Sequence, residues 1–177
     1  MPWKNGKGET VEIAVFPPGA SMDEFEWRIS MASVANDGAF SLFPEIDRTL
    51  SILSGHGMSL TIDGAAPVLL TMESDPLRFA ADVPVDAMLV DGAITDLNVM
   101  TRRGRFAHGV ERKTGPFSIS GCESGETVYL LATGPVTLTS AGETAELEAL
   151  DCVLVDANVS VTAENIVCYE IRLQGAA

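Results

Sequence analysis

The chain has 177 residues, 25 acidic against 11 basic side chains, a formal net charge of -14 and a composition that is 46% hydrophobic. That length can bury a core in one large domain or two small halves, and the lack of an apolar run of about 18 residues excludes a membrane-spanning helix. The acidic field repels phosphate, so neither nucleic acid nor a membrane surface is expected as a partner, and the few cations become more informative than the many anions.

The opening stretch, "WKNGKGET", sets Lys4 and Lys7 among glycines. A phosphate loop would read G-x-x-x-x-G-K-[ST] and run into a helix. Here Glu9 stands at the hydroxyl position and Val11 to Val15 alternates like a strand, so that reading fails. No signal peptide is recognisable, and the chain is expected in the cytoplasm.

Strand-like alternation then recurs along the chain, with hardly any helical period. In Trp27-Arg28-Ile29-Ser30-Met31 the apolar side chains take one face, Arg28 and Ser30 the other. Similar runs are Arg48 to Leu53, Met58 to Ile62, Thr127 to Leu131, Val136 to Thr139, Cys152 to Val155 and Val167 to Leu173. Turn pairs such as Asp63-Gly64, Asp91-Gly92 and Ala141-Gly142 punctuate them. Many short strands at this spacing predict a sandwich or barrel.

An internal echo refines that expectation. "GAFSLF" from Gly38 matches "GPFSIS" from Gly115, and "LSILSGHGMSLTIDG" from Leu50 matches "VYLLATGPVTLTSAG" from Val128. The Phe-Ser pairs are 77 residues apart and the closing glycines, Gly64 and Gly142, are 78 apart, so both matches share one register. The expected fold is all-β: two tandem cupin-like β-barrels (a bicupin) in one compact unit. Residues 1–100 would form the first barrel with its N-terminal segment, and residues 101–177 the second.

Cupin-like barrels often hold a metal on about three imidazoles and a carboxylate. His56 and His108 are the two histidines of the chain, both expected to be solvent-exposed, His56 in a turn and His108 in a loop-like basic segment. No metal site is assigned and no cofactor is called for. Cys122, Cys152 and Cys168 form no CxxC pair, and Cys152 and Cys168 read as small buried hydrophobes. No nucleophile elbow appears, and no catalytic residue is assigned.

The cations gather at irregular places. "FEWRIS" turns Arg28 away from Trp27 and Ile29, and "FPEIDRTL" leads Asp47 and Arg48 into a strand. "DLNVMTRRGRF" puts Asn98, Met100 and Arg102 on one face of an extended segment. An arginine pointing into a small barrel must be paired or bind an anion, because an uncompensated buried charge costs several kcal/mol. The structural alternative pairs Arg48 with Asp47 or Glu45, and Arg28 with Glu26.

These stretches together resemble the HutD/Ves family, whose members show W-[KR]-N-x-x-G-x-T-x-E-I, [FY]-x-W-R-x-S, F-S-x-F-P-G-[IM]-[DE]-R and [DN]-x-N-[VI]-M-T-R. The matching residues are Trp3-Lys4-Asn5, Gly8, Thr10 and Glu12-Ile13; Phe25, Trp27-Arg28 and Ser30; Phe40-Ser41, Phe43-Pro44 and Ile46-Asp47-Arg48; and Asp96 with Asn98 to Arg102. One departure is Glu45, which stands where the family often has glycine. The resemblance implies a metal-free two-barrel fold. It also implies a role attached to bacterial histidine utilisation, or to stress response in the Ves branch, with a small acid such as N-formylglutamate sensed or sequestered.

The expected ligand site is a polar pocket of Lys4, Asn5, Thr10, Glu12, Arg28, Arg48, Asn98 and Arg102, taking a small carboxylate metabolite. Arg48 would fork onto the carboxylate, and Asn5 or Asn98 would read a neutral oxygen or nitrogen. The leading reading is thus a non-enzymatic small-acid-binding modulator. The alternatives are a metal-independent cupin enzyme using Glu12 or Asp47 on a formyl or formimino amino acid, and a protein-interaction module docking through residues 102–113. Exposed strand edges would allow a homodimer.

Overall fold

The computed structural model describes residues 8–122, 124–162 and 164–176. Among them every regular element is a strand, seventeen in all. The chain divides into two units, Met1–Phe106 and Ala107–Ala177.

The first unit contains β1 (Gly8–Phe16), β2 (Trp27–Val34), β3 (Gly38–Ala39), β4 (Ile46–Ser54), β5 (Met58–Ile62), β6 (Val68–Leu70), β7 (Leu77–Ala80), β8 (Val85–Leu89) and β9 (Ile94–Arg102). They form two antiparallel sheets, ordered β1-β2-β9-β4-β7 and β3-β8-β5-β6. The core lies between these sheets. Ala32, Leu50, Ile52, Phe79 and Ile94 come from the first sheet, and Met58, Leu60, Leu70, Val85 and Ala87 from the second. Trp27, Ile29, Leu97 and Val99 on the other face of the first sheet are buried as well, so β9 is covered on both faces along most of its length.

The second unit contains β10 (Phe106–Thr114), β11 (Phe117–Ile119), β12 (Glu126–Ala132), β13 (Val136–Ser140), β14 (Glu143–Leu147), β15 (Cys152–Leu154), β16 (Val159–Thr162) and β17 (Val167–Gly175). Its sheets are ordered β10-β17-β12-β15 and β11-β16-β13-β14. These are the orders β2-β9-β4-β7 and β3-β8-β5-β6 with each strand number raised by eight, and β1 is the addition in the first unit. The two halves of the internal echo fall on β4-β5 and β12-β13, equivalent strands of the two units. Val128, Leu130, Ala132 and Cys168 from one sheet meet Ile119, Val136, Leu138 and Val161 from the other.

Two expectations are corrected. No sheet closes into a barrel: each strand order is linear, and the two sheets of a unit face each other across the core as an open roll. His108 is 6% exposed and lies on β10, because the basic segment turns at residues 103–105 and continues as a strand instead of remaining a loop. Cys168 is fully buried and Cys152 half-buried, and burial pushes their thiols up to about 11 and about 12 respectively.

The turn between β4 and β5, "SGHG", depends on glycine. Gly57 has φ +99°, and a Cβ there would run into the carbonyl oxygen of Leu70. Gly57→Ala should lose at least about 2 kcal/mol in denaturant unfolding. Glu45 presents the opposite case. It adopts φ +61° where the family often carries glycine, so an L side chain bears left-handed strain. Its carboxylate is mostly exposed and only 3.8 Å from Arg102, so little is lost with it. Glu45→Gly should raise stability by up to about 1 kcal/mol in the same experiment.

Candidate functional site

Strand pairing builds the site row by row. Glu12 on β1 lies beside Ser30 on β2, Ser30 beside Asn98 on β9, and Asn98 beside Leu50 on β4. In the next row Arg28, Met100, Arg48 and Phe79 are neighbours on β2, β9, β4 and β7. In the row on the other side Thr10, Ala32, Asp96 and Ile52 are neighbours. Because side chains alternate along each strand, all these residues share the sheet face that points into the roll.

A chain of hydrogen bonds runs through the middle of that face. Nε of Arg48 donates to Oδ1 of Asn98 at 2.8 Å, and Nη2 of Arg48 donates to the same oxygen. Nδ2 of Asn98 donates to Oδ1 of Asp96 at 2.5 Å. Asn98 and Asp96 are 3% and 1% exposed. The amide can face only one way, since a guanidinium never accepts and the oxygen must therefore turn to Arg48. The Arg48 guanidinium stacks 4.4 Å from the Phe40 ring centre and 5.9 Å from that of Phe79.

Arg48 forms no ion pair with a described carboxylate; its hydrogen bonds to described side chains go to one neutral amide oxygen. Burial pushes its guanidinium down to about 10, with Asp96 opposing and Arg28 adding to the shift, so the group stays charged at neutral pH. Burial pushes Asp96 up to about 6, against the pull of Arg48 and the hydrogen bonds from Asn98 and the Ala32 amide.

Arg28 completes the cluster. It is 4% exposed; its Nε donates to Oε2 of Glu12 at 2.8 Å and its Nη1 to Oγ of Ser30 at 2.9 Å. Glu12 is 39% exposed, so the cluster reaches solvent on the β1 side.

The ion pairs suggested by sequence proximity do not form, for a simple reason. Asp47 and Arg48 are adjacent on a strand and project to opposite faces. Asp47 instead meets Arg78 at 2.8 Å and Arg103 at 3.0 Å. Partial burial would raise its carboxyl, but the two arginines hold it below the usual range. Arg28 likewise pairs across strands with Glu12 and not with Glu26.

Of the expected site residues, Glu12, Arg28, Arg48 and Asn98 are brought together, and Thr10 lies one row away on the same face. Lys4 and Asn5 lie outside the described residues. Arg102 is engaged elsewhere: its guanidinium donates to the carbonyls of Asp23 and Phe25 and so fastens the β1-β2 connection. Ser30, Asp96, Phe40 and Phe79 were not singled out as site residues. Asp96 could have been found from its spacing, two residues from Asn98 on the same strand face, whereas Phe40 and Phe79 needed the tertiary fold.

The equivalent place in the second unit is neutralised internally. Glu170 on β17, 4% exposed, has Lys113 at 2.8 Å and Arg172 at 2.6 Å. Arg172 also reaches Glu126 at 2.8 Å and the carbonyl of Ser120 at 3.2 Å. The cations of the basic segment are spent in this way too, with Arg103 held by Asp47 and Asp82 and Lys113 by Glu170. Among the described residues no group of three His, Cys, Asp or Glu side chains is placed to hold a metal ion. His56 is exposed in the β4-β5 turn with Nδ1 3.1 Å from the Asp91 carbonyl oxygen. No helix is long and apolar enough to cross a membrane.

The paired open rolls place the chain in the cupin-like class. A cupin barrel domain protein from Leptotrichia buccalis superposes with a TM-score of 0.61 at 11% identity, covering 99% of this chain and 92% of that one, which is a likeness of fold alone. The HutD family profile matches residues 1–168, and the chain belongs to the HutD family. It is 39% identical to Protein Ves of Cronobacter sakazakii over 131 residues, 73% of this chain and 70% of that protein. It is 34% identical over 160 residues, 89% of this chain and 82% of the other, to an uncharacterised 21.2 kDa protein of the hutC 3' region in Pseudomonas putida. HutD from Pseudomonas fluorescens SBW25 superposes with a TM-score of 0.84 at 31% identity, covering 100% of this chain and 94% of that one.

The raised Asp96 carboxyl has a definite stability signature. Its folded form keeps the proton longer than the unfolded chain, so its contribution is neutral well below pH 4 and unfavourable above about pH 6. Asp96→Asn should therefore match the wild type near pH 3 and exceed it by roughly 2 to 3 kcal/mol at pH 8, as measured by urea unfolding across that range.

Proposed function

We propose that this protein binds a small carboxylate metabolite in the first unit and works as a non-enzymatic modulator linked to histidine utilisation. The observation that carries the reading is Arg48: a part-buried guanidinium, flanked by two aromatic rings, whose charge meets a neutral amide oxygen and no described carboxylate. Guanidinium is the fork that matches a carboxylate, and the rings of Phe40 and Phe79 lie against it. N-formylglutamate or a related formimino acid suits the site, because Asn98 stands beside Arg48 to read a neutral polar group.

The link to histidine utilisation rests on family membership and on the relatives named for that locus. Binding without turnover is favoured because the titratable groups of the cluster are already engaged: Glu12 holds Arg28, and Asp96 lies buried behind Asn98. The two units are read as tandem cupin-type rolls of one ancestry, with Arg48 of the first meeting no described carboxylate and the equivalent place of the second holding ion pairs. The protein is taken to act in the cytoplasm.

Calorimetric titration of chelator-treated protein with N-formylglutamate, glutamate and urocanate tests the reading. One acid should bind saturably, and Arg48→Ala should weaken it about 10- to 100-fold, the range expected for losing charged hydrogen bonds. Undiminished affinity in a folded Arg48→Ala variant would overturn the assignment.

A further inference from the structure

We infer that Asp96 is a positioning residue for the Arg48 site, and that an anion bound at Arg48 draws a proton onto Asp96 across the shared amide of Asn98. The ligand half of this inference rests on the carboxylate reading above; the coupling between Arg48 and Asp96 does not.

The geometry makes Asn98 a fixed spacer between a cation and a carboxylate. Its Oδ1 is committed to Arg48 and its Nδ2 to Asp96, both inside the roll. Arg48 already turns the oxygen toward itself, and Asp96 holds the opposite end of the same amide, so it steadies Asn98 without touching a ligand.

The surroundings of Asp96 leave Arg48 as the cation that governs its proton. Asp96 is flanked in register by Ala32 on β2 and Ile52 on β4. Across the core, β5 and β8 contribute Met58, Leu60, Val85 and Ala87, all apolar. On this face β7 contributes Phe79 beside Arg48, while Arg78 bonds Asp47 on the opposite face. Among the described residues the other charged groups on the face are Arg28 from β2 and Glu12 from β1, paired with each other at 2.8 Å, and Arg102 on β9, which is turned to the carbonyls of Asp23 and Phe25. Burial favours a protonated Asp96, and Arg48 is the main opposing influence.

A carboxylate bound to Arg48 cancels that opposition. Around a carboxyl as buried as Asp96, the balance then tips toward the neutral acid, and the proton comes from solvent. By linkage the ligand binds more tightly wherever Asp96 is free to take up a proton, so affinity falls as pH rises through and above the Asp96 transition. A carboxylate ligand is ionised across this window and supplies no such trend of its own.

The test follows the Asp96 side-chain carboxyl by carbon-13 NMR during pH titration. In the wild type it should titrate near pH 6. In Arg48→Ala its midpoint should move up, and Arg48→Gln serves as a second variant if the alanine protein does not fold. An unmoved midpoint in a folded variant would overturn the coupling. Saturating N-formylglutamate should move the wild-type midpoint in the same direction. Its affinity should fall about tenfold between pH 5.5 and 8 for a shift of about one unit, and the Asp96→Asn protein should show no such fall. Movement in the Arg48 variants without movement on addition of the acid would leave the coupling supported and overturn the carboxylate reading instead. A pH dependence of affinity that persists in Asp96→Asn would overturn the assignment of that proton to Asp96.

Discussion

A charged side chain inside a small β-roll must find compensation, and that constraint organises this molecule. Desolvating a guanidinium costs several kcal/mol unless hydrogen bonds and opposite charge offset it. Arg48 is compensated indirectly, by a neutral amide and, behind it, a buried carboxylate. Three strands must therefore keep a common register for the arrangement to exist, because Arg48 lies on β4, Asn98 and Asp96 on β9, and Arg28 on β2. The apolar residues in the same rows, Leu50 beside Asn98 and Ala32 and Ile52 beside Asp96, belong to the core that supplies the stability holding the register.

The two units show how one topology can carry opposite solutions. Each places an acidic residue on the long strand beside the equivalent neighbour, Asp96 on β9 opposite Ile52 and Glu170 on β17 opposite Leu130. In the second unit Glu170 meets Lys113 and Arg172 directly, and Arg172 goes on to Glu126. There the opposite charges meet by direct contact, and Lys113 also reaches Glu111 at 3.3 Å. In the first unit an amide separates the charges, so neither is neutralised by contact. The second unit, with the same strand order, thus acts as an internal reference: that Arg48 meets no described carboxylate is a property of its residues and not a requirement of the fold.

Backbone strain follows the same division between scaffold and particulars. Gly57 occupies a conformation in which a side chain would strike the backbone of the next strand. Glu45 bears left-handed strain at the turn that feeds Asp47 and Arg48 into β4, while its own amide hydrogen-bonds Asp82. That turn delivers Arg48 to the inner face and Asp47 to the outer one. There Asp47 is caught by Arg78 and Arg103 and helps fasten the neighbouring segments.

Strand content, the inward facing of Arg28, Arg48 and Asn98, the repeated strand pattern and the family were all legible in the sequence by itself. Each depends on local alternation, turn residues or linear motifs. Residue 108 shows the limit of such reading, since a histidine in a cationic, polar stretch looks exposed until the stretch is seen to continue as a strand. What only the tertiary structure decided was partnership. Arg28 chose Glu12 over Glu26, Arg48 chose Asn98 over Asp47, and Arg102 left the site for the carbonyls of Asp23 and Phe25. A period of two tells which face a side chain takes, but its neighbours on that face come from strands distant in sequence, and only the register of the assembled sheet brings them together.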